Sequence, residues 1–252
     1  MFKNLTARER IIFALDVPDY NQALGWVRRL KGLVGFFKVG QELFTSCGPR
    51  VVESVKAEGG RVFLDMKFHD IPNTVKGAVA SAAKLGVDML TLHCLGGFQM
   101  MHEASRAGAG KGRPALLGVT VLTSLGEEAV KQLGLALSLE EEVVLLARLA
   151  RQAGLDGVVA SPLELASLRE VLGDDLLLIC PGIRPSFSPS HDQARQATPG
   201  QAVRAGADLL VIGRPVREAA DPDAVLELVV DEIEAALRAE ETGGGARWVP
   251  VK

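Results

Sequence analysis

The chain has 252 residues, 48% hydrophobic and 23% charged, which excludes a disordered or fibrous chain and fits one large globular domain with a sizeable core. Lys and Arg number 28 against 31 Asp and Glu, a formal charge of -3, so no global basic field marks a nucleic-acid or anionic-membrane partner and any anion must be caught locally. Cys47, Cys94 and Cys180 are odd in number and far apart, which suits reduced thiols packed in or near the core better than a disulfide framework. The apolar run in MFKNLTARERIIFALDV is too short for a signal peptide and is broken by Asp16. Nowhere is there a span of about 20 apolar residues, and a soluble, cytoplasmic protein is expected.

Taken in chain order, short runs rich in Val, Ile, Leu and Phe alternate with longer stretches of helical period. IIFALDV comes first, and Gly32 ends the helical stretch behind it. GFFKVG and RVFLDMK follow, then a helix stopped at Gly86 and the run DMLTLH. Gly108-Ala109-Gly110-Lys111-Gly112 has the look of a nucleotide loop, but it lacks the G-K-[ST] ending and precedes a strand, so it reads as a flexible turn before ALLGVTVL. The capping box Ser138-x-x-Glu141 opens a helix that Gly154 stops. DGVVAS runs into a second box, Ser161-Pro162-x-Glu164. DLLLICPGI leads to a third, Thr198-Pro199-x-Gln201, whose helix ends at Gly206 before DLLVIG. Both later boxes place Pro at the first helical position. Eight such βα units predict a parallel TIM (β/α)₈ barrel. No Pro/Ser-rich linker or charge block divides the chain, so 1–242 is read as one catalytic domain, with Gly243, Gly244 and Gly245 opening a flexible tail over 243–252.

A barrel of this kind carries its chemistry at the C-terminal ends of the strands. Polar residues there are Asp16, Lys38, Asp65 with Lys67, His93, Thr123, Arg184, and Gly213 with Arg214. Side chains alternate along a strand, so LDMK turns Asp65 and Lys67 to the same face. Opposite charges there are costly to desolvate unless paired, which leaves two readings, a structural ion pair or a working site. Gly213-Arg214-Pro215 closes the eighth run and opens a helix, a convergence of backbone N–H groups and a guanidinium suited to phosphate. The long stretch PGIRPSFSPSHDQARQATPG, with Arg184 and Gln193, reads as a lid. Arg184 reads either as a ligand contact or as support for that lid. His69 and His93 are read as packing or hydrogen-bonding groups rather than proton donors, and His102 and His191 as surface residues.

Asp70 extends the pair to Asp65-x-Lys67-x-x-Asp70, and the full string DMKFHDIPNT resembles the orotidine 5′-monophosphate decarboxylase family. The likeness continues in the family's order through ALD at Asp16, FKVG at Lys38, VTVLTS at Thr123, PGIRP at Arg184, DQARQATP at Gln193 and IGRP at Arg214. It implies a homodimeric TIM barrel, free of metal and cofactor, that converts orotidine 5′-monophosphate to uridine 5′-monophosphate in pyrimidine biosynthesis. By the same resemblance, Asp16 and Lys38 hold the ribose hydroxyls, and Lys38, Asp65, Lys67 and Asp70 form an alternating charge array at the reacting carbon. Lys67 delivers the proton to a carbanion at C6, Asp65 faces the departing carboxylate and Thr123 meets the pyrimidine. The lid, with Arg184 and Gln193, closes over a phosphate held at Gly213 and Arg214. Asp70, Ile71 and Thr74 cross a two-fold interface to complete the partner's site.

Two other readings stand beside this one. Metal-dependent decarboxylases of keto-sugar phosphates share the D-x-K-x-x-D pattern, but they carry a carboxylate where Lys38 stands, and an ammonium there repels Mg²⁺. A catalytically silent phosphate-binding barrel would have little use for three strand-end carboxylates around two lysines.

Overall fold

The apolar runs form eight strands: β1 (Ile11–Ala14), β2 (Phe36–Gly40), β3 (Val62–Phe68), β4 (Met89–His93), β5 (Ala115–Val119), β6 (Gly157–Val159), β7 (Leu177–Cys180) and β8 (Leu209–Ile212). All pair in parallel in sequence order, and β8 returns to β1 to close the barrel. This computed structural model describes residues 2, 4–107, 112–186, 196–241 and 248. Lys111, His191 and Gln193 therefore lie outside the described residues, as does all of the expected 243–252 tail except Trp248, which packs partly buried against the outer core.

Strand alternation separates two cores. Ile12, Phe36, Phe63, Met89, Leu117, Ile179 and Leu209 point inward and fill the barrel. Their neighbours, such as Ile11, Phe37, Leu64, Leu90 and Leu210, pack outward with Val27, Val55, Val79 and Leu168 of the surrounding helices. Cys94 and Cys180 are buried and Cys47 half-buried, all with free thiols, and burial pushes the Cys94 thiol up to about 12.

Two of the three capping boxes form as expected, Ser138 with Glu141 opening the helix Leu139–Ala153 and Thr198 with Gln201 opening Pro199–Arg204. Gly154, at φ +83°, supplies the left-handed stop of the first of these. The box at Ser161-Pro162-x-Glu164 differs. Glu164 accepts the Ser161 N–H at 2.8 Å, but residues 162–164 form a turn and the helix begins only at Leu165. Ser161 and Glu164 are both buried, so the reciprocal bond closes a buried turn off β6 instead of a helix end.

The N-terminal rim of the barrel is closed by a repeated device. Asp88, just before β4, donates its N–H to the Val62 carbonyl and accepts the Val62 N–H at 2.7 Å on its carboxylate. Asp156 does the same with Leu116, accepting at 2.8 Å, and Asp208 with Leu178, also at 2.8 Å. A cation completes each clamp: Lys56 at 3.0 Å, Arg113 at 2.7 Å, and Arg169 on Asp208. The corresponding position before β2 is Gly35, which keeps the backbone bond to Ile11 but has no room for a side chain, since a Cβ would lie 2.1 Å from the Glu9 carbonyl oxygen.

Candidate active site

One step of two residues beyond the inward-facing core brings each strand to its upper layer: Ala14, Lys38, Asp65, Thr91, Val119, Val159, Pro181 just past β7, and Val211. Four charged groups meet there. Lys38 Nζ lies 3.0 Å from Asp16 Oδ1 and 3.6 Å from Asp65 Oδ2. Lys67 Nζ donates to both Asp65 oxygens at 2.9 Å. Burial drives the Asp65 carboxyl upward, but Lys38, Lys67 and the hydrogen bonds from Lys67 and Thr91 outweigh it and hold the group below the usual carboxylate range. Lys38 is the mirror case, with burial pulling its ammonium down and Asp65 and Asp16 raising it above the ordinary lysine value. Both charges are thus retained in a nearly dry setting.

The meeting of Asp65 and Lys67 follows from more than strand alternation. Between the pairs Leu64–Leu90 and Phe68–Leu92 the β3–β4 register shifts, so Asp65, Met66 and Lys67 all stand opposite Thr91. Lys67 itself has φ +52°. Its N–H turns to Thr91 Oγ1 at 2.9 Å, and that hydroxyl donates to Asp65 Oδ1 at 2.9 Å. Alternation alone predicts the shared face; the bulge and the left-handed backbone bring the ammonium back onto the carboxylate.

The cavity above this layer has two halves that share Lys38, Asp65, Pro181 and Val211. The larger, about 410 Å³, is lined by Asp16, Gly213 and three guanidiniums, those of Arg184, Arg214 and Arg217. The smaller, about 120 Å³, is mostly apolar, with Phe63, Val119 and Val159 on its walls and Lys67 and Thr123 at its edge. One half suits an anion and the other a flat ring. The neck of the expected lid is held, because the Arg184 N–H donates to the Ala197 carbonyl at 2.9 Å and Glu232 accepts from the backbone N–H groups of Ser186 and Gly200 at 3.4 and 3.5 Å.

Comparison with known proteins matches the sequence profile of the orotidine 5′-phosphate decarboxylase / HUMPS family to residues 9–229, from just before β1 to the last helix. The chain belongs to this family. An orotidine 5′-phosphate decarboxylase of Trichlorobacter lovleyi is 52% identical over 236 residues, covering 92% of this chain and 98% of its own. One from Geobacter sulfurreducens is 51% identical over 233 residues, covering 91% and 98%. The crystal structure of orotidine 5′-phosphate decarboxylase from Lactobacillus acidophilus superimposes with a TM-score of 0.79 at 39% identity, over 88% of this chain and 98% of that one.

Within this family member, the structure gathers Asp16, Lys38, Asp65 and Lys67, and places Thr123, Arg184, Gly213 and Arg214 around them. Asp70, Ile71 and Thr74 are not gathered. The Asp70 carboxylate accepts the Ile71 N–H at 2.6 Å, and among the described residues no cation lies within ion-pair distance of it. Ile71 is 68% exposed and Thr74 is exposed on the first turn of the helix Pro72–Lys84. His69 and His93 pack ring to ring at 5.3 Å, and burial, His69 and Lys67 together lower the His93 pKa against the pull of Asp65, which fits a neutral packing group.

Two residues of the site, Thr91 and Arg217, lie outside the motifs singled out in the sequence. Thr91 is fully buried, and its signal was a lone hydroxyl at an inward position of an otherwise apolar strand. Arg217, three residues after Arg214, lines the polar half and donates to the Asp16 carbonyl at 2.7 Å. Its i,i+3 spacing from Arg214 on the short helix Arg214–Arg217 is the sequence signal that places it there.

Proposed function

We propose that this chain decarboxylates orotidine 5′-monophosphate to uridine 5′-monophosphate, working in the cytoplasm as a homodimer that needs neither metal nor cofactor. The observation that carries the reading is the Asp16–Lys38–Asp65–Lys67 array set where an anion-binding half-cavity meets an apolar one. In this reading the phosphate rests against Gly213 and Arg214, with Arg184 and, from the lid, Gln193 closing over it. Asp16 and Lys38 hold the ribose hydroxyls, and the pyrimidine lies beside Thr123. The bond from C6 to the carboxylate breaks, its electron pair stays on C6 and CO₂ leaves past Asp65. Lys67 Nζ stabilises the developing carbanion, gives C6 a proton and regains one from water. Binding energy collected at the distant phosphate helps to assemble the charged groups and exclude water. The exposed Ile71, Leu95 and Phe98, which follow β3 and β4, support a second copy seated on this rim.

The metal-dependent keto-sugar-phosphate reading meets an obstacle in Lys38, whose ammonium occupies the space between Asp16 and Asp65 that a divalent ion would need. The deciding assay follows the loss of absorbance as orotidine 5′-monophosphate becomes uridine 5′-monophosphate. The rate is expected to be the same before and after exhaustive EDTA, whereas loss followed by rescue with Mg²⁺ would favour the alternative. Arg214→Ala is expected to raise KM about 10- to 100-fold, with partial rescue by added guanidinium, as for a detached charge-assisted phosphate contact. An unchanged KM would move the phosphate site elsewhere.

A further inference from the structure

We propose that Thr91 is a positioning residue for catalysis, one buried hydroxyl that sets both the Asp65 carboxylate and the backbone turn from which Lys67 reaches it. The inference rests on the reading of Asp65 and Lys67 as catalytic groups. Thr91 lines neither half of the cavity; it is fully buried, so it acts through its neighbours.

The register shift leaves three β3 residues opposite Thr91 alone, so the β4 backbone cannot serve every β3 group in this stretch. Lys67, at φ +52°, sits in a conformation that side-chain-bearing residues seldom adopt and that persists where the surroundings over-determine it. Thr91 Oγ1 supplies that constraint by accepting the Lys67 N–H at 2.9 Å. The same oxygen has one proton to give, and it goes to Asp65 Oδ1 at 2.9 Å. Only a group that is donor and acceptor at once can make both bonds. Asp65 Oδ1 is then held by Thr91 and by Lys67 Nζ, while Oδ2 faces Lys67 Nζ at 2.9 Å and Lys38 Nζ at 3.6 Å. Releasing the hydroxyl frees the turn at Lys67 and one side of the carboxylate together, and misplacement on the scale of an ångström is enough to cost a large factor in rate.

The test uses two matched comparisons on the full-length enzyme. Thr91→Val keeps the buried shape and removes the hydroxyl, and is expected to lower kcat about 10- to 100-fold. The dissociation constant for uridine 5′-monophosphate should stay within about 3-fold, because Thr91 touches no ligand. Thr91→Ser and Thr91→Ala lose the same methyl and differ only in the hydroxyl, so the serine variant is expected to retain kcat within about 5-fold of the parent and the alanine variant to fall at least about 10-fold below serine. A Thr91→Val enzyme that turns over at the parental rate overturns the proposal, as does one that loses kcat and nucleotide affinity equally. If circular dichroism shows Thr91→Val unfolded, the serine–alanine pair decides, and equal kcat values there overturn it. Lys67→Ala run alongside separates the two levels. An active Lys67→Ala removes the underlying catalytic reading, while an inactive Lys67→Ala with an active Thr91→Val removes the role of Thr91 alone.

Discussion

Lys67→Ala is expected to lower kcat by about 10⁴-fold or more while changing the affinity for uridine 5′-monophosphate by no more than about 10-fold. The asymmetry comes from where the charge is needed. In the resting site the Lys67 ammonium is already satisfied by both oxygens of Asp65 at 2.9 Å, so binding the product nucleotide gains little from it. In the proposed mechanism negative charge grows on C6 as the carboxylate departs, and Lys67 is the ammonium there that Asp65 alone engages, since Lys38 is shared between Asp16 and Asp65. In that reading a fixed ammonium in a partly dry cavity stabilises the charge without having to reorganise, and the same group then delivers the proton. Truncation removes both contributions and leaves Asp65 with Lys38 and Thr91 as its partners. Single-turnover rates and nucleotide titrations measure the two quantities separately, and matched losses in both would remove Lys67 as the proton donor.

Mixing inactive Lys67→Ala with inactive Asp70→Asn under subunit exchange is expected to restore activity to about a quarter of the wild-type value. Asp70 leaves β3 beyond Lys67 and turns its carboxylate to the Ile71 backbone, outside the Asp16–Lys38–Asp65–Lys67 cluster of its own barrel. Ile71 beside it is 68% exposed, an unusual position for an isoleucine unless another surface covers it. If a two-fold partner does so, each site takes Lys67 from one subunit and Asp70 from the other. A mixed dimer then concentrates both defects in one site and leaves the other intact; random pairing makes about half the dimers mixed. Native mass measurement establishes that exchange took place. Persistent inactivity with exchange established would assign Asp70 to its own barrel.

The barrel was legible because each strand announces itself as an apolar run and several helices by a cap or a glycine stop, although helices such as Gln41–Cys47 and Arg50–Ala57 carry neither signal read from the sequence. The runs IIFALDV to DLLVIG contain seven of the eight strands whole and β3 up to its last residue, Phe68, and Gly154 adopts the left-handed conformation assigned to it. The Ser161 box shows where this reasoning stops, since the same local bonds serve a helix start or a buried turn and tertiary packing chooses between them. In the site, Asp65 and Lys67 could be paired from the period of a strand. What period could not supply was the β3–β4 register shift and the left-handed backbone at Lys67, because both arise where β3 pairs with β4, and there the Lys67 N–H meets Thr91, a residue 24 positions further on. Arg217 was hidden for a similar reason. Its contact with the Asp16 carbonyl spans 201 residues and exists only once β8 has closed on β1.

Each aspartate clamp on the N-terminal rim ties together the two strands of one pair: Asp88 joins β4 to β3, Asp156 joins β6 to β5, and Asp208 joins β8 to β7, with Gly35 in the same place between β2 and β1. The carboxylate clamps therefore group the strands of the barrel into two-stranded modules, three of them held by an aspartate and the first by the Gly35 backbone bond alone, while backbone bonds such as Ala115 N–H to the Asp88 carbonyl and Leu177 N–H to the Asp156 carbonyl join one module to the next. A chain break between β4 and β5 falls between modules and leaves every clamp within one fragment. A break between β5 and β6 parts Asp156 from Leu116 and leaves a carboxylate and a strand N–H each without its mate. The first kind of division yields halves that keep every carboxylate clamp and have only backbone bonds, such as Ala115 N–H to the Asp88 carbonyl, to remake at the base, so it is the natural seam for splitting or permuting this enzyme. The charged groups gathered at the opposite rim disregard the seams: Asp16 and Lys38 come from the first module, and Asp65 and Lys67 from the second. Both modules lie on the same side of that break, so the central charges stay together in one fragment while the guanidiniums of Arg184, Arg214 and Arg217 travel with the other.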